Sequence, residues 1–458
     1  MRSPNILICG AGMAGISAAY HLAVRHGVRD IVLADDLPPL SLTSDKSTEC
    51  YRNWWPGPGD AMVALMNRSI DIMEDLAAQT GNAFNLNRRG YLYATANPAR
   101  LPDFHAAAQE AADLGAGPVR IHTGRPSDPP YVPAPDHGYQ NQPTGCDLIT
   151  DQQLIRAHFP ALSERTVGVL HARRCGWLSA QQLGMTMLQQ ARGQGVRLVS
   201  ARLEGVEVRQ GRVEAVQLRG TDAPHRLAVG CLVIAAGPLV KQIGEMLSVD
   251  IPVFWERHAK VAFKDYRGVV PRNAPLLIWT DPQTLPWSAE ERELLAESPD
   301  TRPLLAELPG GAHVRPEGGV DSPMTLMLWA YDTPPVQPTF PPAFDPWYAE
   351  VTLRGLAAML PGLSVYLDHA PRPIVDGGYY CKTQENRPLI GPLPVRGAYV
   401  IGALSGFGIM ASPGAGDLLG AHVMGSPLPH YAPAFHPERY QDPAYQELLA
   451  HWPTGGQL

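Results

Sequence analysis

Asn5-Ile6-Leu7-Ile8-Cys9-Gly10-Ala11-Gly12-Met13-Ala14-Gly15 opens the chain with a short apolar run that breaks into a glycine-rich turn. Ile16 to His26 follows with helical spacing, apolar at Ile16, Ala19, Leu22 and Ala23. A second apolar run, Asp30-Ile31-Val32-Leu33-Ala34, ends in Asp35-Asp36. Strand, glycine turn, helix and second strand together make a β-α-β unit of the kind that binds dinucleotides. Gly10, Gly12 and Gly15 permit the tight turn, the close approach of a pyrophosphate and the contact between helix and strand. The helix start at Met13 and Ala14 adds unpaired N–H groups and a positive dipole end. Asp35 lies 20 residues beyond Gly15, where a carboxylate accepts hydrogen bonds from ribose hydroxyls, and a carboxylate there argues against a 2′-phosphate.

Outward from this unit, Leu42 to Trp55 is polar and small, then aromatic, and reads as a loop carrying Ser44, Ser47, Thr48 and Arg52. A helix follows with Asp60 as its expected N-cap and Met62, Leu65, Met66, Ile70, Met73, Leu76 and Ala77 on one face. From about Arg89 to Thr150 the texture changes: a strand at Gly90–Tyr93, a helix around Asp103–Leu114 and a proline-rich surface loop from Pro126 to Pro143. Gln181–Arg192 reads as a helix and Val196–Ser200 as a strand, and Leu203–Val208 pairs with Arg212–Arg219 across Gln210-Gly211 as a hairpin. The apolar strand Cys231–Ile234 ends in Ala235-Ala236-Gly237-Pro238, small residues that let something approach the backbone. Ile251 to about Pro373 reads as irregular, whereas Ala398–Gly402 is a strand leading to the glycine-rich run Ser405 to Gly416.

Composition narrows the partners. With 458 residues, 45% of them hydrophobic and 18% charged, the chain can bury a sizeable core. A net charge of −7 and no basic run argue against nucleic acid. The longest apolar stretch, Cys231–Val240, is too short to span a bilayer, and structure begins too early for a secretory leader, so the expected location is cytoplasmic. Six cysteines without regular spacing suggest neither a disulfide framework nor a metal site. Only five of the 37 basic residues are lysine: Lys46, Lys241, Lys260, Lys264 and Lys382.

Four segments carry a further likeness: the N-terminal unit, Gly176-Trp177-Leu178 before the Gln181 helix, Val233 to Pro238, and the run from Tyr380 through Gly408. Together they resemble the D-amino acid oxidase superfamily, in its sarcosine oxidase, glycine oxidase and dimethylglycine dehydrogenase branch. The resemblance implies an α/β fold, α+β overall, with a Rossmann-like FAD-binding domain of the glutathione reductase type and a second, mixed-sheet substrate domain. Residues 1–89, 151–240 and 372–458 would form the first, and 90–150 with 241–371 the second. Gly10, Gly12, Met13, Ala14 and Gly15 would face the pyrophosphate, Asp35 with Asp36 the ribose, and Ser44, Ser47 and Thr48 the cofactor from the early loop. Leu203, Ala235, Ala236 and Gly237 would line the adenine end, and Gly406, Phe407, Gly408, Ile409 and Met410 the flavin pyrimidine edge.

Departures from the family pattern shape the expected chemistry. The position of the flavin-bonding Cys of some relatives falls on Gly378, and Thr43–Asn53 contains no His, so non-covalent FAD is expected and Cys381 is a bystander. A substrate-binding Lys of sarcosine oxidases falls on Met410, and one that assists oxygen falls near Leu326. The resemblance implies hydride transfer to flavin N5 from a carbon beside an amine nitrogen, giving an imine that hydrolyses. A secondary, N-substituted or cyclic amine or amino acid is the expected substrate, with oxygen or another acceptor. Lys382, Tyr380 and Arg52 are the expected catalytic residues, and Trp54, Trp55, Tyr91, Trp329 and Tyr379 further candidate walls. His258 is expected as a core or surface histidine. The alternatives are a flavin-binding subunit or scaffold whose catalytic partner is another chain, and an NAD-linked dehydrogenase using the N-terminal unit alone.

Overall fold

The computed structural model describes residues 6–221, 225–369 and 371–452; Asn5 lies outside them. Ile6–Cys9 is a buried strand near the middle of an eight-stranded sheet, paired in parallel with Ile31–Asp35 and Cys231–Ile234. The start of Arg197–Arg209 and the strand Ala398–Gly402 extend the parallel set on either side. Parallel strands covered on both faces read as continuous apolar runs, and these do. Ile6 and Ile8 pack in one core cluster and Leu7 and Cys9 in another, as a period of two requires.

The first helix spans Met13–Tyr20, starting three residues ahead of Ile16, and passes into a π-turn at His21–Arg25. Val196–Ser200 and Leu203–Val208 are not separate strands but parts of one, Arg197–Arg209, which turns through Gln210 and Gly211 at positive φ into Arg212–Gly220. Helix Ala61–Thr80 forms as the apolar stripe dictates, but Asp60 makes no side-chain cap; its carboxylate pairs with His430 Nε2 at 2.9 Å. The run Ser405–Gly416 is a loop only to Phe407, because Gly408–Met424 is a 17-residue helix. Its small residues serve contact: a Cβ on Gly416 would strike Ser17, and one on Gly414 would meet the Leu65 carbonyl at 2.9 Å.

The second sheet has nine strands, in the order Ile374–Lys382, Phe254–Lys264, Met324–Leu328, Ala312–Pro316, Leu276–Trp279, Tyr91–Thr95, Gly168–Ala172, Cys146–Ile149 and Val119–His122. Four of these, with helices Ala289–Glu297 and Tyr348–Met359, come from the stretch 251–373 expected to be irregular. The signal is hidden because one face of this sheet lines a cavity and carries polar side chains, as at Glu256 and His258. Gly168–Ala172 and Ile374–Lys382, both within segments assigned to the first domain, hydrogen-bond into this second sheet. All six cysteines are unpaired and buried. Among the described residues no helix is long and apolar enough to cross a membrane.

Candidate active site

Two cavities share a wall. The first runs along the carboxyl ends of the parallel strands and is lined by Gly10, Gly12, Met13, Ala14, Asp35, Asp36, Ser44, Ser47, Leu203, Ala235, Ala236, Gly237, Gly406, Gly408 and Ile409, all named from sequence. This is where an open α/β sheet binds its ligand. Gly10 has φ +108, a backbone that a side chain would strain, and a Cβ there would also collide with Ala235. Gly15 does not line the cavity; it packs beneath, where a Cβ would strike the Gly10 carbonyl.

Two helix N-termini open onto this cavity. Neither Gly12 nor Phe407, the residues before them, supplies a side-chain cap, and apart from the Met13 N–H, which Ser44 takes, the backbone donors of these helix starts remain for a ligand. Ser44 Oγ accepts from Met13 N–H at 3.0 Å. Asp35 accepts from Ala11 N–H at 2.6 Å and from Leu37 N–H at 2.9 Å, which fixes the carboxylate at the strand end although burial pushes its pKa up. Glycine cradle, donor-rich helix starts and a fixed carboxylate fit the pyrophosphate and ribose of FAD.

The second cavity, about 970 Å³, lies against the inner face of the nine-stranded sheet. Strand register puts Tyr91 and Tyr93, Leu276 and Ile278, His313, Leu328, Glu256 and His258, and Tyr380 and Lys382 on that one face. Tyr380 and Gly406 line both cavities. Thr48, Phe407 and Met410, expected against the cofactor, line the second cavity and not the first. Of the candidate aromatic walls, Trp55, Tyr91 and Trp329 line the second cavity, Tyr379 lines the first, and Trp54 is core.

Arg52 is 2% exposed, with its guanidinium 4.3 Å from the Trp55 ring centroid and Nη1 donating to Tyr93 Oη at 3.1 Å. Lys382 is neither a free cation nor a solvated strand end: Nζ donates to Glu256 Oε1 at 2.9 Å. Glu256 Oε2 lies 2.9 Å from His258 Nε2, and the His258 ring stacks on Tyr380. Burial lowers the pKa of His258 and takes that of His313 down to about 4, so both rings are neutral at pH 7. His258 therefore belongs to the cavity, and Glu256 and His313 join it. The signal that locates them is alternation along strands, 256 with 258 and 380 with 382, which becomes legible only once the strands are known.

A model of the FAD-dependent oxidoreductase family abbreviated DAO matches residues 5–422. Bifunctional MnmC proteins of tRNA 5-methylaminomethyl-2-thiouridine biosynthesis, from Aeromonas hydrophila and Aeromonas salmonicida, are 36% and 33% identical over 104 residues. Those residues are 20% of this chain and only 16% of each relative. Among solved structures, L-proline dehydrogenase from P. horikoshii superposes with a TM-score of 0.72 at 16% identity, over 96% of this chain and 98% of that one. Glycine oxidase from Bacillus cereus gives 0.67 at 15% identity, over 94% and 97%. Iminodiacetate oxidase from Chelativorans gives 0.66 at 18% identity, over 94% and 98%. At these identities the superpositions establish the shared fold. The family match runs from the first strand almost to the end of the Gly408–Met424 helix and takes in every residue of the first cavity, so the chain belongs to the DAO family of FAD-dependent oxidoreductases.

Proposed function

We propose that the enzyme oxidises a C–N bond of an amine or amino acid, with secondary, N-substituted or cyclic amino acids favoured, to an imine that water hydrolyses. The observation that carries this reading is Arg52, a buried cation among aromatic walls in a cavity sharing Tyr380 and Gly406 with the dinucleotide cavity. When bound, FAD supplies the hydride acceptor.

The protein's part is to bind, orient and dehydrate. Arg52 presents a planar, permanently charged donor set suited to a carboxylate. Trp55, Tyr91, Tyr93 and Trp329 enclose the amine in a setting that disfavours the ammonium form, leaving the nitrogen lone pair to assist cleavage of the adjacent C–H bond. Met410 lines this cavity at the position where the resemblance sets a carboxylate-binding Lys, which leaves Arg52 the main anchor. Proline, glycine and iminodiacetate, named in the structural relatives, share the carboxylate-plus-amine pattern that Arg52 suits.

The test is anaerobic mixing of the flavin-loaded protein with a panel of secondary, tertiary, D- and L-amino acids and their decarboxylated analogues. Bleaching of the flavin by at least one carboxylated amine is expected. A flavin that no amine bleaches, or a purified chain that binds no flavin, overturns the reading.

A further inference from the structure

Strands Phe254–Lys264 and Ile374–Lys382 pair so that Phe254 lies opposite Lys382 and Glu256 opposite Tyr380. Glu256 and His258 on one strand, with Tyr380 and Lys382 on the other, therefore project from the same face toward the second cavity, and all four line it. The side chains form a chain of contacts, Lys382 Nζ to Glu256 Oε1 at 2.9 Å and Glu256 Oε2 to His258 Nε2 at 2.9 Å. His258 has its ring plane fixed by the stack on Tyr380, and its side chain is only 8% exposed.

We propose that Glu256 is a positioning residue for amine oxidation: it holds His258 in the Nε2–H tautomer, so that Nδ1 accepts the proton of the substrate's ammonium group, while Lys382 keeps the carboxylate ionised. This rests on the amine reading above.

The donor logic is fixed by chemistry. Glu256 is held ionised because the His258 and Lys382 hydrogen bonds outweigh its burial, and an ionised carboxylate only accepts, so Nε2 must carry the hydrogen. A neutral ring with hydrogen on Nε2 has its lone pair on Nδ1, which no protein group occupies among the described residues. In the step, an ammonium N–H bond breaks and an Nδ1–H bond forms; the electron pair stays on the amine nitrogen, ready to assist loss of hydride from the adjacent carbon. The imidazolium so formed is stabilised by Glu256, as a buried carboxylate stabilises a protonated histidine in a hydrolytic triad. The titratable and charged groups around His258 are Glu256 on its own strand, Tyr380 and Lys382 on the neighbouring strand, and His313 further across the sheet. Tyr348 approaches through its hydroxyl, which donates to the Ala259 carbonyl at 2.5 Å. Arg52 acts on His313.

Two readouts test it on the flavin-loaded protein. Rapid-mixing flavin reduction by a saturating amine at pH 7 should be at least about tenfold slower in Glu256→Gln than in the wild type, with flavin content unchanged. At pH 10 the deficit should close to within about threefold, because the amine arrives deprotonated and needs no acceptor. Independently of turnover, nitrogen NMR of histidine-labelled protein should show His258 as the Nε2–H tautomer, with a pKa lowered in Glu256→Gln and raised in Lys382→Met. A deficit equal at both pH values, no deficit, or a wild-type Nδ1–H tautomer overturns the proposal. A wild-type flavin that no amine reduces, with the NMR result as expected, counts against the amine reading and leaves the Glu256–His258 geometry standing.

Discussion

The imidazole of His258 lies flat on the ring of Tyr380, with centroids 3.8 Å apart and planes 17° from parallel. Tyr380 borders both cavities, so the stack joins the substrate side of the site to the cofactor side. No residue among those described receives a hydrogen bond from the Tyr380 hydroxyl, and burial pushes its pKa up, so the ring and not the phenol is the working part. Tyr380→Phe should keep flavin reduction within about threefold of wild type, whereas Tyr380→Ala, which removes the platform under His258, should slow it by at least about tenfold. Rapid-mixing absorbance checks both, and equal behaviour of the two variants would refute the platform role.

Arg52 makes a sharper distinction between substrates. Arg52→Lys keeps a positive charge but loses the planar fork and the stacking on Trp55, so the KM for a carboxylated amine should rise at least about tenfold. The decarboxylated analogue should show no comparable change, because it offers the guanidinium nothing to bind. Steady-state kinetics on the matched pair of substrates decides the matter, and a parallel loss on both would mean that Arg52 supports the fold.

Flavin retention tests the first cavity. Gly15→Ala puts a methyl group onto the Gly10 carbonyl and should leave the purified protein almost free of flavin. Asp35→Asn disturbs less, exchanging a charged acceptor of the Ala11 and Leu37 N–H groups for a neutral amide, and should weaken flavin binding by about tenfold or more. In the wild type, acid precipitation should release the flavin into the supernatant. Gly378 offers no side chain for attachment, and burial pushes the Cys381 thiol up to about 12, so no thiolate stands ready. Absorbance at the flavin band after precipitation reads the result; a yellow pellet would mean a covalent link.

What the sequence made legible follows from how each part earns its pattern. The Gly10–Gly15 turn, Asp35 and the Ala235–Gly237 strand end stand out because they belong to a short contiguous unit whose local geometry demands glycine and small residues. The nine-stranded sheet is illegible over 251–373 because strands that face a polar cavity carry Glu256 and His258 where a core strand would carry Val or Leu. The Gly408–Met424 helix was hidden for a related reason: glycines kept for contact with Ser17 and Leu65 look like a loop. Phe407 and Met410, which the family resemblance sets at the flavin edge through their backbone N–H groups, line the second cavity, an arrangement that a glycine run read without its helix does not reveal.

Acid stability should be set by buried neutral histidines. Burial lowers His171 to about 3 and His313 to about 4, well below the ordinary value near 6.5. The unfolded chain therefore takes up protons that the folded one refuses, so this contribution is complete above pH 6.5 and is lost as pH falls from 6.5 toward 4. The slope is up to about 1.4 kcal/mol per pH unit for each histidine in that window. Asp417, held low through His21 and Arg68 despite its burial, keeps its contribution until pH drops below the ordinary carboxylate range, so it does not mask the histidines above pH 4.5. Urea unfolding from pH 7 to 4.5 should show the midpoint falling, and a flat profile would contradict burial of these rings as neutral species.

Reaction with oxygen should be slow. Reduction of oxygen by a flavin is favoured by a positive charge held beside the ring; in the reading above Arg52, held against Trp55 and Tyr93, is committed to the substrate carboxylate, and Lys382 is the one lysine lining either cavity among the described residues. Its charge is matched by Glu256 at 2.9 Å, and Lys260, which lines neither cavity, donates to the carbonyl oxygens of Asp45 and Ser47. His258 and His313 are neutral. After anaerobic bleaching, air should therefore restore the yellow colour over minutes, while a dye acceptor should restore it at once. Glu256→Gln uncovers the Lys382 charge and should speed recovery in air by at least about threefold even as it slows reduction by the amine at pH 7. Recovery of the wild type within seconds would show that the matched lysine is no obstacle, and an unchanged rate in Glu256→Gln would show that Lys382 lies too far from the reacting ring to act on oxygen.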